Sequence, residues 1–148
     1  MKKVFLVLIL FLNCLCFGQN LEENQVKETI NNLFTGMKNA DAKMLNSAFS
    51  ENAILQTISK DGTVKTDDLK NFLTSVSNSS KNDLDERINF VSIQIDGNLA
   101  SVFTPYEFYF KGKFSHCGAN SFQLVKQNNL WKIQYLIDTR RKENCIKE

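Results

Sequence analysis

The segments GANSFQLVK, residues 118–126, and LWKIQYLIDTR, residues 130–140, decide the fold. In both segments apolar residues recur at every second position, and residues two apart share one face of a β-strand. Asn128 and Asn129 lie between the segments and would form the two-residue turn of an antiparallel hairpin. One face of this predicted hairpin is apolar, so other elements of the chain must cover it.

The turn determines which residues face each other across the hairpin. Three pairs are expected to oppose each other: Leu124 with Ile133, Phe122 with Tyr135, and Asn120 with Ile137. In this register strict alternation points Asp138 and Arg140 away from the apolar face. A bulge near the end of the strand would reverse their direction.

Residues 1–18 have the pattern of a secretory signal peptide that is cleaved at its end. Lys2 and Lys3 precede an apolar run over residues 4–12, and small residues precede the expected cleavage site. A membrane anchor is the weaker alternative, because this run is well short of the roughly 20 residues needed to span a bilayer. A lipid-modified Cys14 or Cys16 is a further alternative, but neither follows the small residues that normally precede such a cysteine.

Cleavage would leave residues 19–148, a length that suits one domain with one core. The chain has 18 basic and 16 acidic residues, and loss of the two lysines in the signal peptide balances the charges. Such a protein has no net charge to attract nucleic acid or, after cleavage, a membrane surface. Because Cys117 and Cys145 remain, we expect a disulfide and a periplasmic or secreted location.

Three helices are predicted before the first hairpin. Apolar residues three and four apart over residues 21–40 indicate a first amphipathic helix. Asp41 can cap a second, shorter helix, and a third is expected to begin at Thr66. Between the second and third helices, alternation over residues 52–60 predicts a strand.

A second hairpin is predicted from residues 86–96 and 99–110, with its turn at Gly97 and Asn98. Pro105, the only proline, interrupts the second of these strands, where a bend or bulge is expected. The complete order is helix, helix, strand, helix and four strands. This order predicts an α+β fold in which N-terminal helices pack on the concave face of a strongly bent mixed or antiparallel sheet, a cone-like α+β barrel.

The chain resembles the nuclear transport factor 2-like superfamily, in particular its small exported bacterial members, which are called SnoaL-like or lumazine-binding-like. The resemblance rests on five segments: Val26 to Met37, Asn39 to Asp41, Phe49 with Ala53, Ile95 to Val102, and Trp131 to Ile133. It implies a cone with a pocket between sheet and helices, and a homodimer formed through the outer sheet face. It implies little about activity, since the superfamily includes isomerases, cyclases, dehydratases and binding proteins, and no catalytic motif of its enzymes matches here.

Aromatic and polar residues on the predicted inward face are candidates for binding a flat small molecule. They are Tyr106, Asn120, Phe122, Trp131, Tyr135 and Thr139, and Arg140 joins them if a bulge turns it inward. The aromatic members could instead simply fill the core, which is the usual role of such residues. Arg140 could bind a carboxylate or phosphate, or it could form a surface ion pair with Asp138.

His116, the only histidine, is a candidate general acid or base together with Asp138 or Tyr106. It could equally be a loop histidine bonded to the backbone. Glu107 lies among aromatic residues and would be a base if buried, or a solvated surface glutamate if it points outward. One histidine and no clustered cysteines argue against a metal site, and no glycine-rich phosphate loop occurs, so we expect no cofactor.

The sequence therefore predicts an exported domain that binds a small apolar or aromatic ligand. An isomerase, dehydratase or hydrolase is the first alternative, and His116 within hydrogen-bond reach of an inward carboxylate would favour it. A dimeric protein-interaction module is the second alternative, with Val125 and Leu136 as an apolar patch on the outer sheet face.

Overall fold

The computed structural model describes the backbone of residues 2–145 and the side chains of residues 20–145. The predicted signal peptide, residues 1–18, lies outside the part whose side chains are described, and it stays a prediction. The elements are α1 (Lys2–Asn39), α2 (Ala42–Ala48), β1 (Phe49–Ile58), β2 (Val64–Asp67), α3 (Leu69–Ser77), β3 (Leu84–Ile88), β4 (Ser92–Asp96), β5 (Leu99–Phe110), β6 (Lys113–Gln127) and β7 (Leu130–Arg141). No helix of the described part is long and apolar enough to cross a membrane.

The strands form one mixed sheet of seven, in the order β2, β1, β7, β6, β5 and β3, with β4 also paired to β5. The first strand runs parallel to β7, whereas every other pair is antiparallel. Helix α1 places the apolar stripe of Val26, Ile30 and Leu33 in the core, where its Phe34 meets Phe122 of β6 edge to face. This arrangement confirms the predicted α+β fold, with helices packed against a sheet.

The final hairpin has the predicted turn. Asn128 and Asn129 both have positive φ values, 51° and 63°, as a two-residue hairpin turn requires. Leu124 faces Ile133 as predicted, but the pairing then shifts by one residue. The predicted pairs of Phe122 with Tyr135 and Asn120 with Ile137 are therefore wrong. Phe122 faces Leu136 instead, and Asn120 faces Asp138.

Gln134 is the extra residue that causes this shift. Its side-chain amide accepts a hydrogen bond from the Ser50 hydroxyl at 2.9 Å and donates one to the Asn52 carbonyl at 3.1 Å, so it is held by β1. Because one inserted residue reverses the direction of every side chain that follows it, Asp138 and Arg140 face the helices, contrary to strict alternation. Leu136 turns inward too, so the predicted outer patch of Val125 and Leu136 does not exist.

A second irregularity divides the strand predicted over residues 86–96 into β3 and β4. Near the turn Ile95 faces Ala100 as predicted, but in β3 Glu86 faces Phe108, one residue out of that register. The interruption lies opposite Pro105, whose carbonyl accepts from the Asn89 amide at 3.0 Å. In an antiparallel sheet the N–H and C=O of one residue point to the same neighbouring strand. At position 105 the carbonyl points to the interruption, and the N–H that proline lacks would have pointed there too.

Two further differences concern the start of α3 and the C-terminal tail. The third helix begins at Leu69 rather than Thr66, because the Asp68 carboxylate accepts from the Asn71 amide as its N-cap and the preceding residues pair with β1 as β2. A disulfide joins Cys117 of β6 to Cys145, with a Cα–Cα distance of 5.8 Å. It ties the tail to the same end of β6 that carries His116.

Candidate functional site

A cavity of about 620 Å³ lies between the helices and the sheet. Its helical wall is mainly apolar, with Leu33, Phe34 and Met37 from α1 and Phe72 and Val76 from α3, and the polar Asn71 and Ser75 of α3 also border it. The opposite wall comes from the sheet and carries most of the ionisable groups. A volume of this size, with one apolar wall and a few polar groups on the other, is typical of a small-molecule site.

Asp138 is the centre of one polar cluster on the sheet wall, and it is only 8% exposed. Thr57 donates a hydrogen bond to its Oδ1 at 2.5 Å, and Tyr106 donates one to its Oδ2 at 3.0 Å. The Arg140 Nε also donates to Oδ2, at 2.9 Å. These contacts fix the direction of the carboxylate and satisfy its oxygens, because a buried carboxylate is stable only when it is paired and hydrogen-bonded.

Tyr106 is held in this cluster as a hydrogen-bond donor. Its hydroxyl lies 3.0 Å from the Thr139 carbonyl oxygen as well as from Asp138. Burial raises the pKa of this phenol, and the negative charges of Asp138 and Glu86 raise the pKa further. The phenol is therefore neutral at physiological pH and can donate its proton only within hydrogen bonds.

Glu86 is the second carboxylate of the sheet wall. The side-chain amide of Asn120 donates to its Oε1 at 2.8 Å. Burial raises its pKa from 4.5 to about 7; the Asn120 hydrogen bond opposes this rise, and the charge of Asp138 adds to it. A carboxyl group with this pKa can accept or release a proton near neutral pH.

His116 lines the same cavity but does not contact either carboxylate. Its ring packs against Tyr106 and Phe108 with centroid distances of 5.7 and 5.0 Å, and its Nδ1 lies 3.1 Å from the Ser115 hydroxyl. Burial lowers the pKa of this imidazole, and the positive charge of Arg140 lowers it further. The imidazole is therefore neutral at pH 7, and the hydrogen bond to a carboxylate that would favour its catalytic role is not formed.

The structure places the other candidate residues in different surroundings. Tyr106, Asn120 and Arg140 line the cavity, whereas Phe122 and Trp131 are buried in the core outside its lining. The Gln134 bulge turns Tyr135 and Thr139 away, so that Tyr135 donates to Gln56 and the Thr139 hydroxyl accepts from the Ala119 amide. Glu107 accepts from the Tyr109 hydroxyl at 2.8 Å and also lies outside the cavity lining.

Two cavity residues, Glu86 and Thr57, were not among the candidates drawn from the sequence. An unbroken strand over residues 86–96 would have pointed Glu86 away from the core. Pro105 is the sequence feature that could have identified Glu86 as a cavity residue, because a proline inside a paired strand predicts an interruption of the neighbouring strand. No comparable signal marks Thr57, which reaches Asp138 only because β1 and β7 pair in parallel.

A family model described as "Putative lumazine-binding" matches residues 21–134. The chain belongs to this lumazine-binding-like family. The match runs from Leu21 of α1 into β7 and ends before the cavity residues Leu136, Asp138 and Arg140. The fold is that of solved nuclear transport factor 2-like (NTF2-like) proteins. Among curated proteins, no sequence matches this chain.

Three solved structures illustrate the shared fold. An NTF2-like protein of unknown function from Shewanella baltica has 18% identity and a TM-score of 0.67, covering 83% of this chain and 96% of that one. One from Silicibacter pomeroyi has 13% identity and a TM-score of 0.68, covering 83% and 98%. A protein described as a "putative aromatic ring hydroxylase", from Novosphingobium aromaticivorans, has 15% identity and a TM-score of 0.61, covering 78% and 85%. At these identities the similarity concerns the fold alone.

Proposed function

We propose that this lumazine-binding-like protein is exported and binds a small apolar or aromatic molecule in the cavity between its helices and its sheet. The observation that carries the proposal is the cavity itself, about 620 Å³ in volume, with an apolar helical wall facing fixed polar groups on the sheet. The signal-peptide pattern of residues 1–18 and the disulfide support export.

The two walls suggest how a ligand would lie. A flat apolar body would pack between the helical side chains and the aromatic ring of Phe108, where its burial provides most of the affinity. Polar atoms at one edge would meet Asn120 and Glu86, and the Asp138–Arg140 pair borders the same wall. Because these groups are held by hydrogen bonds before a ligand arrives, they would fix its orientation at little entropic cost.

Lumazine is the first ligand to test, given the description of the family, and its fluorescence allows a direct titration. Ser75 and Thr74 are both exposed on α3, but only Ser75 lines the cavity. We expect Ser75→Trp to fill the cavity mouth and abolish binding, and the matched variant Thr74→Trp to leave it unchanged. Native mass spectrometry of the purified protein would detect any other ligand in the same pair of variants. Equal binding by both variants would contradict a site in this cavity.

An acid–base enzyme of isomerase, dehydratase or hydrolase type is the second candidate function. The pKa of Glu86, about 7, favours it, because such a carboxyl group exchanges protons readily at neutral pH. Tyr106 could then donate a hydrogen bond to a developing negative charge on a substrate, provided that it leaves Asp138. If a bound molecule is converted during incubation, Glu86→Gln should abolish the conversion while the molecule still binds.

The dimeric interaction module remains a prediction without support from a particular contact. Sedimentation velocity of residues 19–148 at several concentrations would show whether a homodimer forms. A dimer would be compatible with ligand binding, since the cavity lies on the opposite side of the sheet from the outer face.

A further inference from the structure

The ionisable side chains that line the cavity have an unequal charge balance. Among the described residues of the lining, the one lysine or arginine is Arg140, and it faces four carboxylates. The carboxylates are Asp67, Asp68, Glu86 and Asp138. His116 does not offset them at neutral pH, because burial lowers its pKa. The cavity therefore favours a ligand that brings positive charge or N–H groups over one that brings negative charge.

Arg140, the one arginine or lysine of the described lining, already binds to other residues of the cavity. The Arg140 guanidinium donates from Nε to Asp138 and from Nη2 to the Thr57 hydroxyl, at 2.9 and 3.0 Å. It forms its ion pair with Asp138, which is thereby compensated. An anionic ligand would have to compete with this carboxylate for Arg140, at the cost of leaving a buried negative charge without a partner.

Glu86 lacks the ion pair and the several hydrogen bonds that Asp138 has. Its Oε1 accepts from Asn120, but within residues 20–145 no side chain donates a hydrogen bond to Oε2 and no lysine or arginine forms an ion pair with it. The neighbouring Asp85, by contrast, pairs with Lys38 and Arg87, each at 3.0 Å. Glu86 is therefore a carboxylate in a cavity wall with an unused acceptor oxygen and no ion-pair partner of its own. Arg140, which is bound to Asp138, acts on it only through its more distant charge.

We propose that the ligand is an aromatic cation whose amidinium-like or ammonium group binds to Glu86, with its ring packed against the aromatic lining of the cavity. The proposal rests on the proposed function and adds the chemical class of the ligand. Phe34, Phe72 and Phe108 line the same space and would contact the ring or, by cation–π attraction, the charge. A nitrogen cation would provide both the missing donor and the missing charge at Oε2.

Binding of a cation to Glu86 requires the ionised carboxylate, so affinity should increase with pH through the titration of that group. The charged and titratable groups that border the same space are Asp67 of β2, Asp68 at the start of α3, Tyr106 of β5, His116 of β6, and Asp138 and Arg140 of β7. Tyr106 stays neutral in this range. Protonation of His116 at lower pH would repel a cation and would reinforce the same direction of the pH dependence.

Benzamidine, benzamide and benzoate provide a test, because they have the same planar shape but are cationic, neutral and anionic. Dissociation constants measured by ligand-detected NMR at pH 8 should show benzamidine binding roughly tenfold tighter than benzamide, as expected for one hydrogen bond to a charged group, with benzoate weakest. The preference for benzamidine should shrink in the wild-type protein at pH 6. It should disappear in Glu86→Gln and persist in Glu51→Gln, which changes an exposed carboxylate outside the cavity lining.

Tighter binding of benzoate than of benzamidine would overturn the proposal, and so would a benzamidine preference that survives Glu86→Gln. The pH dependence of benzamidine binding to the wild-type protein tests the role of the Glu86 charge without any substitution. If benzamide binds as well as benzamidine and Ser75→Trp abolishes both, the ligand class is wrong but the cavity remains a binding site. If none of the three compounds binds and lumazine does not bind either, both the ligand class and the proposed function fail.

Discussion

Replacing Glu86 by glutamine should make the protein more stable at pH 8 and remove a specific part of its pH dependence. The carboxyl group has a pKa of about 7 in the folded protein and about 4.5 when unfolded, mainly because burial disfavours its charged form. Between these two values the folded state binds more protons than the unfolded state. The contribution of Glu86 to the free energy of unfolding is therefore greatest below pH 4.5 and is lost as the pH rises through 7.

The magnitude follows from the difference between the two pKa values. A rise from 4.5 to about 7 corresponds to about 3 kcal/mol lost between acidic and alkaline pH. This figure is an upper bound, because Glu86 faces a cavity large enough to hold water, which would solvate the carboxylate in part. Glutamine has nearly the same shape and can still accept a hydrogen bond from Asn120, but it carries no charge to bury.

Urea unfolding at pH 5, 6, 7 and 8, without reductant, would measure the effect. The free energy of unfolding of Glu86→Gln relative to wild type should increase by up to about 2.5 kcal/mol from pH 5 to pH 8. Because the comparison is a difference, the opposite contribution of His116, whose pKa is lowered, is present in both proteins and largely cancels. Glu51→Gln is the control and should show no such trend. If wild type and Glu86→Gln have parallel pH profiles, Glu86 is not a half-buried carboxylate whose charged form is disfavoured in the folded protein.

Three further predictions concern the structure around the cavity. Reduction of the bond between Cys117 and Cys145, which are 28 residues apart, should lower the free energy of unfolding by roughly 3 to 4 kcal/mol, measured by denaturant titration with and without reductant. Gly118→Ala should lower the free energy of unfolding by roughly 3 kcal/mol in the same assay, or prevent folding, because the added Cβ would lie 1.8 Å from the Thr139 carbonyl oxygen. A variant as stable as wild type would contradict this close approach. Tyr106→Phe should cost about 1 to 2 kcal/mol, since it removes the hydroxyl that donates to a buried carboxylate, and an unchanged urea midpoint would show that this hydrogen bond contributes nothing.

The features predicted correctly from the sequence depend on local signals. The helical stripe of α1, the Asp41 cap of α2 and the turn at Asn128 each follow from residues close together in the chain. The alternation that marks the strands is local as well. These signals are sufficient for the order of the helices, of β1 and of the two hairpins and for the side of α1 that is buried, but they did not predict β2 or the division between β3 and β4.

The direction of the site residues could not be predicted in the same way, because it depends on contacts between distant segments. The bulge at Gln134 is held by hydrogen bonds to Ser50 and Asn52, which are far away in sequence. The alternation of apolar and polar residues along β7 does not indicate these hydrogen bonds. Strict alternation therefore predicted that Asp138 points outward. The irregularity expected at Pro105 was assigned to its own strand, whereas the interruption lies in the neighbouring strand, between β3 and β4.

The two irregularities of the sheet have a consequence for how such a pocket could change during evolution. If Gln134 lost its hydrogen bonds to β1 and joined the regular pairing with β6, the bulge would vanish and every later side chain of β7 would exchange the interior for the surface in one event. A point mutation alters one group, whereas this change would replace Leu136, Asp138 and Arg140 by their sequence neighbours at once. The gain or loss of one bulge is therefore sufficient to present a different set of side chains to the cavity on the same scaffold.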